Sequence, residues 1–358
     1  MKKIQLPIWT MILPVLGLVV YLFAGPESAI YLKVLLAILL IGSVLASVHH
    51  AEVIAHKVGE PFGTIILALA ITTIEVGLIV SLMLAGGEST KALARDTVFA
   101  AVMLILTAIV GICLLKGSLK FKEQEYKLSG VNAALITLTA ILVLTLILPN
   151  YTTSGAVGEY TTSQLVFVSI VSLVLYAGFI FMQTVRHRDY FIPKDSNSEE
   201  EHLEAPNNLT AGSSLILLII SLMTVVLLAK FLSKDIETLV VGFGAPQSVV
   251  GVIIAAIVLL PEGLAAYRAV KVDRLQTSLN LALGSALASI GLTIPAVATV
   301  SIILGMPITL GIDMSSTVLL LLSMITIMFS LATGKTNVQQ GVVLLVIFAS
   351  YLFYTVVP

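Results

Sequence analysis

Long apolar runs alternate with short polar breaks along the whole chain. A helix needs about 20 mainly apolar residues to cross ~30 Å of hydrocarbon. Cutting the chain at its polar and Gly/Pro-rich breaks therefore predicts an all-α polytopic membrane protein with about eleven spans. They cover approximately residues 6–24, 30–48, 62–85, 97–116, 130–149, 164–185, 211–232, 245–268, 278–303, 314–332 and 338–356.

The first run admits a second interpretation, because Lys2 and Lys3 precede it as they would in a secretory signal. The apolar core of such a signal has about 7–15 residues, and this run is longer. We therefore predict an extra transmembrane helix at the N-terminus.

Composition excludes several classes of protein. Of 358 residues, 58% are apolar and only 11% charged, whereas soluble domains have about 25% charged residues. The net charge of −1 offers no basic surface for nucleic acid. The single cysteine, Cys113, cannot form an internal disulfide, and no Cys/His set has the spacing of a zinc site. We expect neither a soluble enzyme nor a bound cofactor.

Basic residues predict the orientation in the membrane, since loops rich in Lys and Arg stay on the cytoplasmic side. The polar segments between the predicted spans fall alternately on the two sides of the membrane. The side that includes the N-terminus has 14 of the 19 Lys and Arg residues, and the other side has 5. This asymmetry places the N-terminus in the cytoplasm and the C-terminus outside.

One long loop divides the chain. It runs from Arg186 to Thr210 and contains an acidic stretch at 195–204. Five predicted spans precede it, once the first is set aside, and five follow. An odd number of spans brings the chain to the opposite side of the membrane. If the second set of five repeats the first, it must therefore have the inverted orientation, as in many secondary transporters. The predicted divisions are an N-terminal helix (1–29), a first repeat (30–185), a cytoplasmic linker (186–210) and a second repeat (211–358).

Two acids interrupt apolar spans near mid-membrane depth: Glu75 in the third span and Glu262 in the eighth. Residues 64–75 align with 251–262, each in the second span of its half and each after a Gly/Pro break. A charged side chain at the bilayer centre costs about 3 kcal/mol on insertion scales. One explanation is a protonated carboxyl hydrogen-bonded between helices, or a packing constraint. The hypothesis we favour is a shared metal-cation site, because burial disfavours a bare carboxylate while a bound cation or proton neutralises it.

Hard cations such as Na⁺ and Ca²⁺ prefer oxygen ligands, and hydroxyls occur near both acids. Thr72 and Thr73 lie within one turn of Glu75, and Ser285 and Ser289 share one face of the ninth span. Close packing by small residues is the alternative explanation for the serines. Pro261 removes a backbone donor beside Glu262 and should loosen that helix.

Other polar residues lie nearer the membrane edges. His49, His50 and Glu52 fall between the second and third predicted spans. Such residues are usually solvated, but histidine titrates near neutral pH, so a proton path toward Glu75 is the alternative. Asp313 begins the tenth span, where it would cap a helix N-terminus.

Five short segments stand out: IEV around Glu75, AHKVGEPFGT (55–64), PEGL (261–264), NLALGSALAS (280–289) and TGKTNV (333–338). In these segments the chain resembles the cation/proton exchangers of the calcium/cation antiporter superfamily. The resemblance implies a bacterial cytoplasmic-membrane antiporter of inverted repeats, whose two central glutamates bind the cation in exchange for protons.

This sequence also departs from the calcium/proton members. It has Thr72 and Leu259 where they tend to carry Asn, and Ala288 where they carry Gln. Fewer amide oxygens favour tolerance of Na⁺ or K⁺ over strict Ca²⁺ selectivity.

The function we expect is secondary antiport that exports Ca²⁺, Na⁺ or K⁺ for H⁺, with cations, protons and the lipid bilayer as partners. A proton-independent cation channel and an organic-solute transporter are the alternatives. A lipid-modifying enzyme would need a DxxxD pair or a nucleophile with its base at membrane depth, and the sequence has neither. Homo-oligomers stay open, because small-residue helix faces serve internal packing as readily as dimer contacts.

Overall fold

The computed structural model describes residues 6–25, 28–59, 62–86, 90–192, 206–242, 244, 246 and 248–357. These residues form helices and no strand, apart from an isolated bridge between Glu125 and Lys335. The α-helices are α1 (Ile8–Phe23), α2 (Ile30–Val58), α3 (Phe62–Gly86), α4 (Leu93–Met103), α5 (Val110–Phe121), α6 (Leu128–Leu142), α7 (Thr162–Phe181), α8 (Asn208–Gly242), α9 (Ser248–Val258), α10 (Leu260–Lys271), α11 (Leu275–Leu304), α12 (Met314–Ser330) and α13 (Val338–Val356).

The all-α prediction is confirmed. Among the described residues, seven helical stretches are long and apolar enough to cross a membrane, and the bent pair of α9 and α10 would make an eighth. Three more apolar helices are shorter: Ile8–Phe23, Ala68–Leu84 within α3, and Met314–Ser330. The chain is thus a multi-pass membrane protein, and the count of eleven spans stays a prediction.

Contacts divide the chain into two units. Unit 1 comprises residues 1–86 and 197–244 and contains α1, α2, α3 and α8. In it, α2 packs against the other three helices. Glycine permits close approach of the helices, because a Cβ on Gly42 would lie 2.7 Å from the Leu13 side chain and one on Gly17 would lie 2.9 Å from Thr224. Small residues at such crossings are typical of membrane helices.

Unit 2 comprises residues 87–196 and 245–358. Its buried centre is α11, which packs against α4, α5, α6, α7 and α10. Helix α4 continues into α5 through a π-helical segment, Leu104–Ile109, and α6 and α7 end in the π-helical segments Val143–Ile147 and Met182–Arg186. Helix α13 packs on α5, where Gly341 meets the backbone of Leu115.

Hydrogen bonds join the loops at one end of unit 2. Gln124 donates its amide N–H to Asp273 (2.6 Å) and its backbone N–H to Thr336 (3.1 Å). The backbone N–H of Lys127 donates to Gln276 (2.6 Å). The sequence predicts all these loops on the cytoplasmic side.

The loops predicted on the opposite side also meet one another. Thr309 donates its backbone N–H to Lys91 (3.1 Å), and Asn150 donates to the carbonyl of Ile312 (2.6 Å). These bonds satisfy the buried non-helical backbone before α12, as a membrane protein requires. The grouping of loops in unit 2 agrees with the prediction that successive loops alternate between the two sides of the membrane. The assignment of one end to the cytoplasm stays a prediction.

Several predicted boundaries are wrong. The second span was predicted to end at residue 48, but α2 continues to Val58 and ends at Gly59, which has φ +77°. The polar residues after position 48 end the apolar run, but they do not end the helix. Gly59 ends the helix instead. The predicted eighth span is broken at Leu259 by a bend of 53°.

Two sequence predictions fall outside the tested part of the structure. The acidic stretch 195–204 lies outside the described residues. The predicted division into repeats at 30–185 and 211–358 also stays a prediction, because packing units do not test a repeat.

Candidate functional site

Glu75 lies in the described part of α3 and is 3% exposed. Thr72, three residues earlier, is also buried, and its hydroxyl has no hydrogen-bond partner among the described residues. Thr73 is exposed and donates to the carbonyl of Leu69 in its own helix (2.7 Å). Residues three apart share a helix face, so Thr72 accompanies Glu75 and Thr73 does not.

Glu262 lies in the first turn of α10 and is 9% exposed. Pro261 occupies the start of this helix, directly after the bend at Leu259. Proline favours a first helical turn because it has no N–H to leave unpaired. The partial positive charge of a helix N-terminus stabilises a carboxylate there. The sequence predicted loosening at Pro261, and the bend also places Glu262 at a new helix start.

The hydroxyls predicted near Glu262 lie on α11, which packs against α10. Ser289 is 5% exposed and Ser285 is half-buried. The structure adds Thr293, which is fully buried with a hydroxyl that has no hydrogen-bond partner among the described residues. The three residues repeat every four positions and so form one row on the helix, a spacing that could have revealed Thr293 in the sequence.

His50 was predicted to lie in a loop, but it is a fully buried residue of α2. Its Nε2 lies 3.1 Å from the carbonyl oxygen of Thr10 in α1. Pro14, four residues after Thr10, has no N–H to donate to that carbonyl. His50 therefore supplies the missing donor with a protonated Nε2 and joins α2 to α1.

His49 and Glu52 also lie on α2 and not in a loop. The His49 ring is half-buried, with its centroid 6.3 Å from that of Trp9 and 5.9 Å from that of His50. Glu52 is exposed. The prediction that these residues are solvated is wrong for His50, which is fully buried, and stays a prediction for Glu52.

The candidate residues divide between the two units. Glu75 and Thr72 lie in unit 1, whereas Glu262, Ser285 and Ser289 lie in unit 2. Within the residues that the structure describes, no group of three or more His, Cys, Asp and Glu side chains could hold a metal ion. A shared site of Glu75 and Glu262 stays a prediction.

The chain has several membrane-length helices, and acids and hydroxyls are buried inside its apolar helices. These features define a class of protein: a polytopic membrane protein with polar groups buried among its helices. Residues 28–185 and 213–357 match the family described as sodium/calcium exchanger protein. The chain therefore belongs to this family of ion exchangers, which confirms the resemblance seen in its short segments.

Individual relatives are similar over almost the whole chain. The sodium-potassium/proton antiporter ChaA of Escherichia coli is 33% identical over 96% of this chain and 94% of its own length. A protein of Sinorhizobium fredii, y4hA, whose name describes a proposed ionic transporter, is 45% identical over 100% of this chain and 98% of its own. The crystal structure of an H⁺/Ca²⁺ exchanger, CAX, superposes with a TM-score of 0.74 at 16% identity, covering 97% of this chain and 87% of that one. The last comparison supports the fold.

Proposed function

We propose that the protein is a secondary active antiporter that exports Ca²⁺ and/or Na⁺ and K⁺ in exchange for H⁺. Family membership supports ion exchange, and the names of two relatives, a sodium-potassium/proton antiporter and an H⁺/Ca²⁺ exchanger, support the proton as counter-ion. The observation that carries the proposal is the burial of Glu75 and Glu262, two acids at matching positions of two apolar segments.

Charge neutralisation is the basis of the proposed mechanism. A bare carboxylate at mid-membrane depth costs about 3 kcal/mol or more, and either a proton or a metal cation removes that cost. Protons and cations then compete for the same glutamate oxygens. When access to these oxygens alternates between the two membrane faces, the competition produces exchange.

The proposal assigns neighbouring hydroxyls as further cation ligands. Thr72, Ser285 and Ser289 are buried or half-buried and can offer oxygen lone pairs, which Na⁺ and Ca²⁺ require. Thr73 is the weakest member of the predicted set, because it is exposed and its proton is already donated to Leu69. Glu262 lies at the start of α10, where the helix dipole adds a partial positive charge.

The proposal keeps the predicted layout of one N-terminal helix and two inverted repeats in a bacterial cytoplasmic membrane, with the N-terminus inside. Two observations support it. The loops in unit 2 group at its ends as the alternation requires. The two stretches that match the family are separated by residues 186–212, which include the predicted linker.

A proton path through His49, His50 and Glu52 is a subordinate part of the proposal. Nδ1 of His50 and Nε2 of His49 have no hydrogen-bond partners among the described residues, so both can accept a proton. The Nε2 of His50 is occupied by its bond to Thr10. We therefore assign any relay role first to His49.

The test is proton release from acid-loaded everted vesicles that contain a pH-sensitive dye. Na⁺, K⁺, Ca²⁺ and Mg²⁺ are added in turn at several pH values. Wild-type protein should dissipate the gradient with at least one cation, and Glu75→Gln and Glu262→Gln should each abolish the response. Glu159→Gln is the matched control, because Glu159 pairs with Lys91 in a loop (3.7 Å).

Hydroxyl ligation has its own matched pair of variants. Thr72→Val should weaken the apparent cation affinity, whereas Thr73→Val should leave it nearly unchanged because Thr73 faces away from Glu75. Wild-type exchange rates in both glutamine variants would refute the glutamate mechanism. Cation flux without proton movement would instead identify a channel.

A further inference from the structure

A cavity of about 280 Å³ with a mixed polar and apolar lining opens at the end of unit 2 that the sequence predicts to be external. It lies where α4, α9 and α12 begin and α13 ends. A cavity of this size has room for several water molecules. Its polar lining includes Arg95, Asp96, Ser248, Asp313, Ser316 and Thr355.

Two carboxylates and one guanidinium determine the charge of this cavity. Nε of Arg95 lies 2.7 Å from Oδ1 of Asp96, and Nη1 of Arg95 donates to the carbonyl of Gly311 (3.0 Å). Arg95 is therefore held by backbone as well as by Asp96. The second carboxylate, Asp313, caps α12 by accepting from the backbone N–H of Ser316 (2.6 Å), as the sequence predicted. The three charged groups sum to −1, which favours a cation.

Two aromatic residues also belong to the lining of the cavity. Phe99 and Tyr351 both line the cavity and meet edge to face, with ring centroids 5.4 Å apart. Tyr351 is 3% exposed. The cavity lining therefore combines hydroxyl and carboxylate oxygens with a pair of packed aromatic rings.

The cavity adjoins the pair of helices that leads to Glu262. A Cβ on Gly251 of α9 would lie 3.1 Å from the carbonyl carbon of Asp96 and 3.2 Å from the nitrogen of Thr97. The two backbones are therefore nearly in contact just beyond the cavity. Glu262 follows Gly251 by eleven residues, which is at most about 16 Å at 1.5 Å per residue, because the bend of 53° between α9 and α10 shortens the distance.

We propose that this cavity is a low-affinity entry site for a hydrated cation, with Asp96 and Asp313 as its carboxylate ligands and Arg95 as the group that limits its affinity. The cation class is that of the transported ions, Na⁺, K⁺ or Ca²⁺, because the described residues of the lining supply oxygen and no sulfur or imidazole. The inference rests on the proposed function, and it adds a site at one face of the membrane that the glutamate mechanism does not contain.

The experiment measures cation-driven proton exchange in right-side-out and everted vesicles and obtains KM on each face. Asp96→Asn and Asp313→Asn should raise KM for Ca²⁺ and Na⁺ on the cavity face, and Arg95→Gln should lower it. For a unit charge about 6 Å from the ion, at an effective dielectric constant of about 40 to 80, each change is roughly three- to tenfold for Na⁺, and roughly ten- to a hundredfold for Ca²⁺ because its charge is doubled. KM on the opposite face should not change, and the shifts should shrink at high salt because these groups are partly exposed.

Controls separate charge from structural damage. Glu159→Gln removes a carboxylate of the same end that does not line the cavity, and it should leave KM unchanged. Asp96→Glu should restore KM toward the wild-type value. Shifts of the same sign in Asp96→Asn and Arg95→Gln, shifts on both faces, or none at all would overturn the proposal.

A second readout distinguishes this proposal from the antiport mechanism. Equilibrium dialysis of purified Glu75→Gln/Glu262→Gln protein against millimolar Ca²⁺ should detect binding that Asp96→Asn weakens. If wild-type protein exchanges no protons but this binding is present, the proposed function fails and the entry site stands. If exchange is normal and no Asp96-dependent binding occurs, the entry site fails alone.

Discussion

The junction between α1 and α2 offers a quantitative test, because one side chain replaces a missing backbone donor. Pro14 leaves the carbonyl of Thr10 without its usual helical partner, and Nε2 of His50 lies 3.1 Å from that oxygen. His50→Leu keeps most of the side-chain volume but removes the donor. The buried carbonyl would then lack a partner, so we expect a loss of about 1–3 kcal/mol in the free energy of unfolding.

In a Pro14→Ala variant, we expect that the hydrogen bond from His50 to the Thr10 carbonyl is no longer needed for stability. Alanine restores the N–H at position 14, which can donate to the Thr10 carbonyl within α1. In that background His50→Leu should cost about 1 kcal/mol less than in the wild type, and this difference is the coupling free energy of a double-mutant cycle. His49→Leu is the matched control, because Nε2 of His49 bonds to none of the described residues, and its coupling to Pro14→Ala should be near zero.

The measurement is denaturant-induced unfolding of the purified protein in mixed micelles. The chain has one tryptophan, Trp9, whose ring lies 6.3 Å from that of His49, so its fluorescence reports directly on this junction. A coupling below about 0.3–0.5 kcal/mol, the range for independent sites, would refute the role of His50. An equally large coupling for His49 would show that packing, and not the hydrogen bond, joins the helices.

Two further predictions concern unit 2 and are read from thermal and alkaline unfolding. Gly341→Ala would place a Cβ 2.5 Å from the backbone nitrogen of Leu115 and should destabilise the protein by about 1–3 kcal/mol, whereas Gly284→Ala, with open space around it, should stabilise it by about 0.5–1 kcal/mol. The Tyr160 hydroxyl donates to the carbonyl of Leu144 (2.5 Å), and burial raises its pKa to about 12. Because the folded pKa exceeds the unfolded value of about 10, this stabilisation is complete below pH 10 and is lost as pH rises through 12. Tyr160→Phe should cost about 1 kcal/mol at neutral pH and remove that alkaline loss.

Local physics made much of the fold predictable. An apolar run of about the length needed to cross hydrocarbon predicts a helix, whatever segments lie next to it. The loops of unit 2 contact one another in the two groups that the alternation of Lys- and Arg-rich loops predicts. Asp313 was predicted as a cap and is one, because capping involves only residues three apart. Boundaries were less predictable. A polar residue ends an apolar run but not a helix, so α2 extends through His49 and His50 to Gly59.

The candidate site was predictable to a similar degree. Glu75 and Glu262 stand out as acids in apolar segments, and both are buried. The different burial of Thr72 and Thr73 needed the structure. Adjacent residues in a helix point in different directions, and the sequence does not say which of them faces the core. The hypothesis that the two glutamates share a site is still to be tested by exchange assays.

The sequence by itself determined the membrane class, the helical fold and the family, because hydrophobic length and short motifs are local properties. Tertiary structure alone decided which distant groups meet. The donor for the Thr10 carbonyl comes from His50, forty residues away, and the cavity around Asp96 gathers residues from four helix ends between 95 and 355. Such pairings depend on how the helices cross. The hydrophobic pattern of the sequence does not show which distant residue will form a hydrogen bond with a buried polar group.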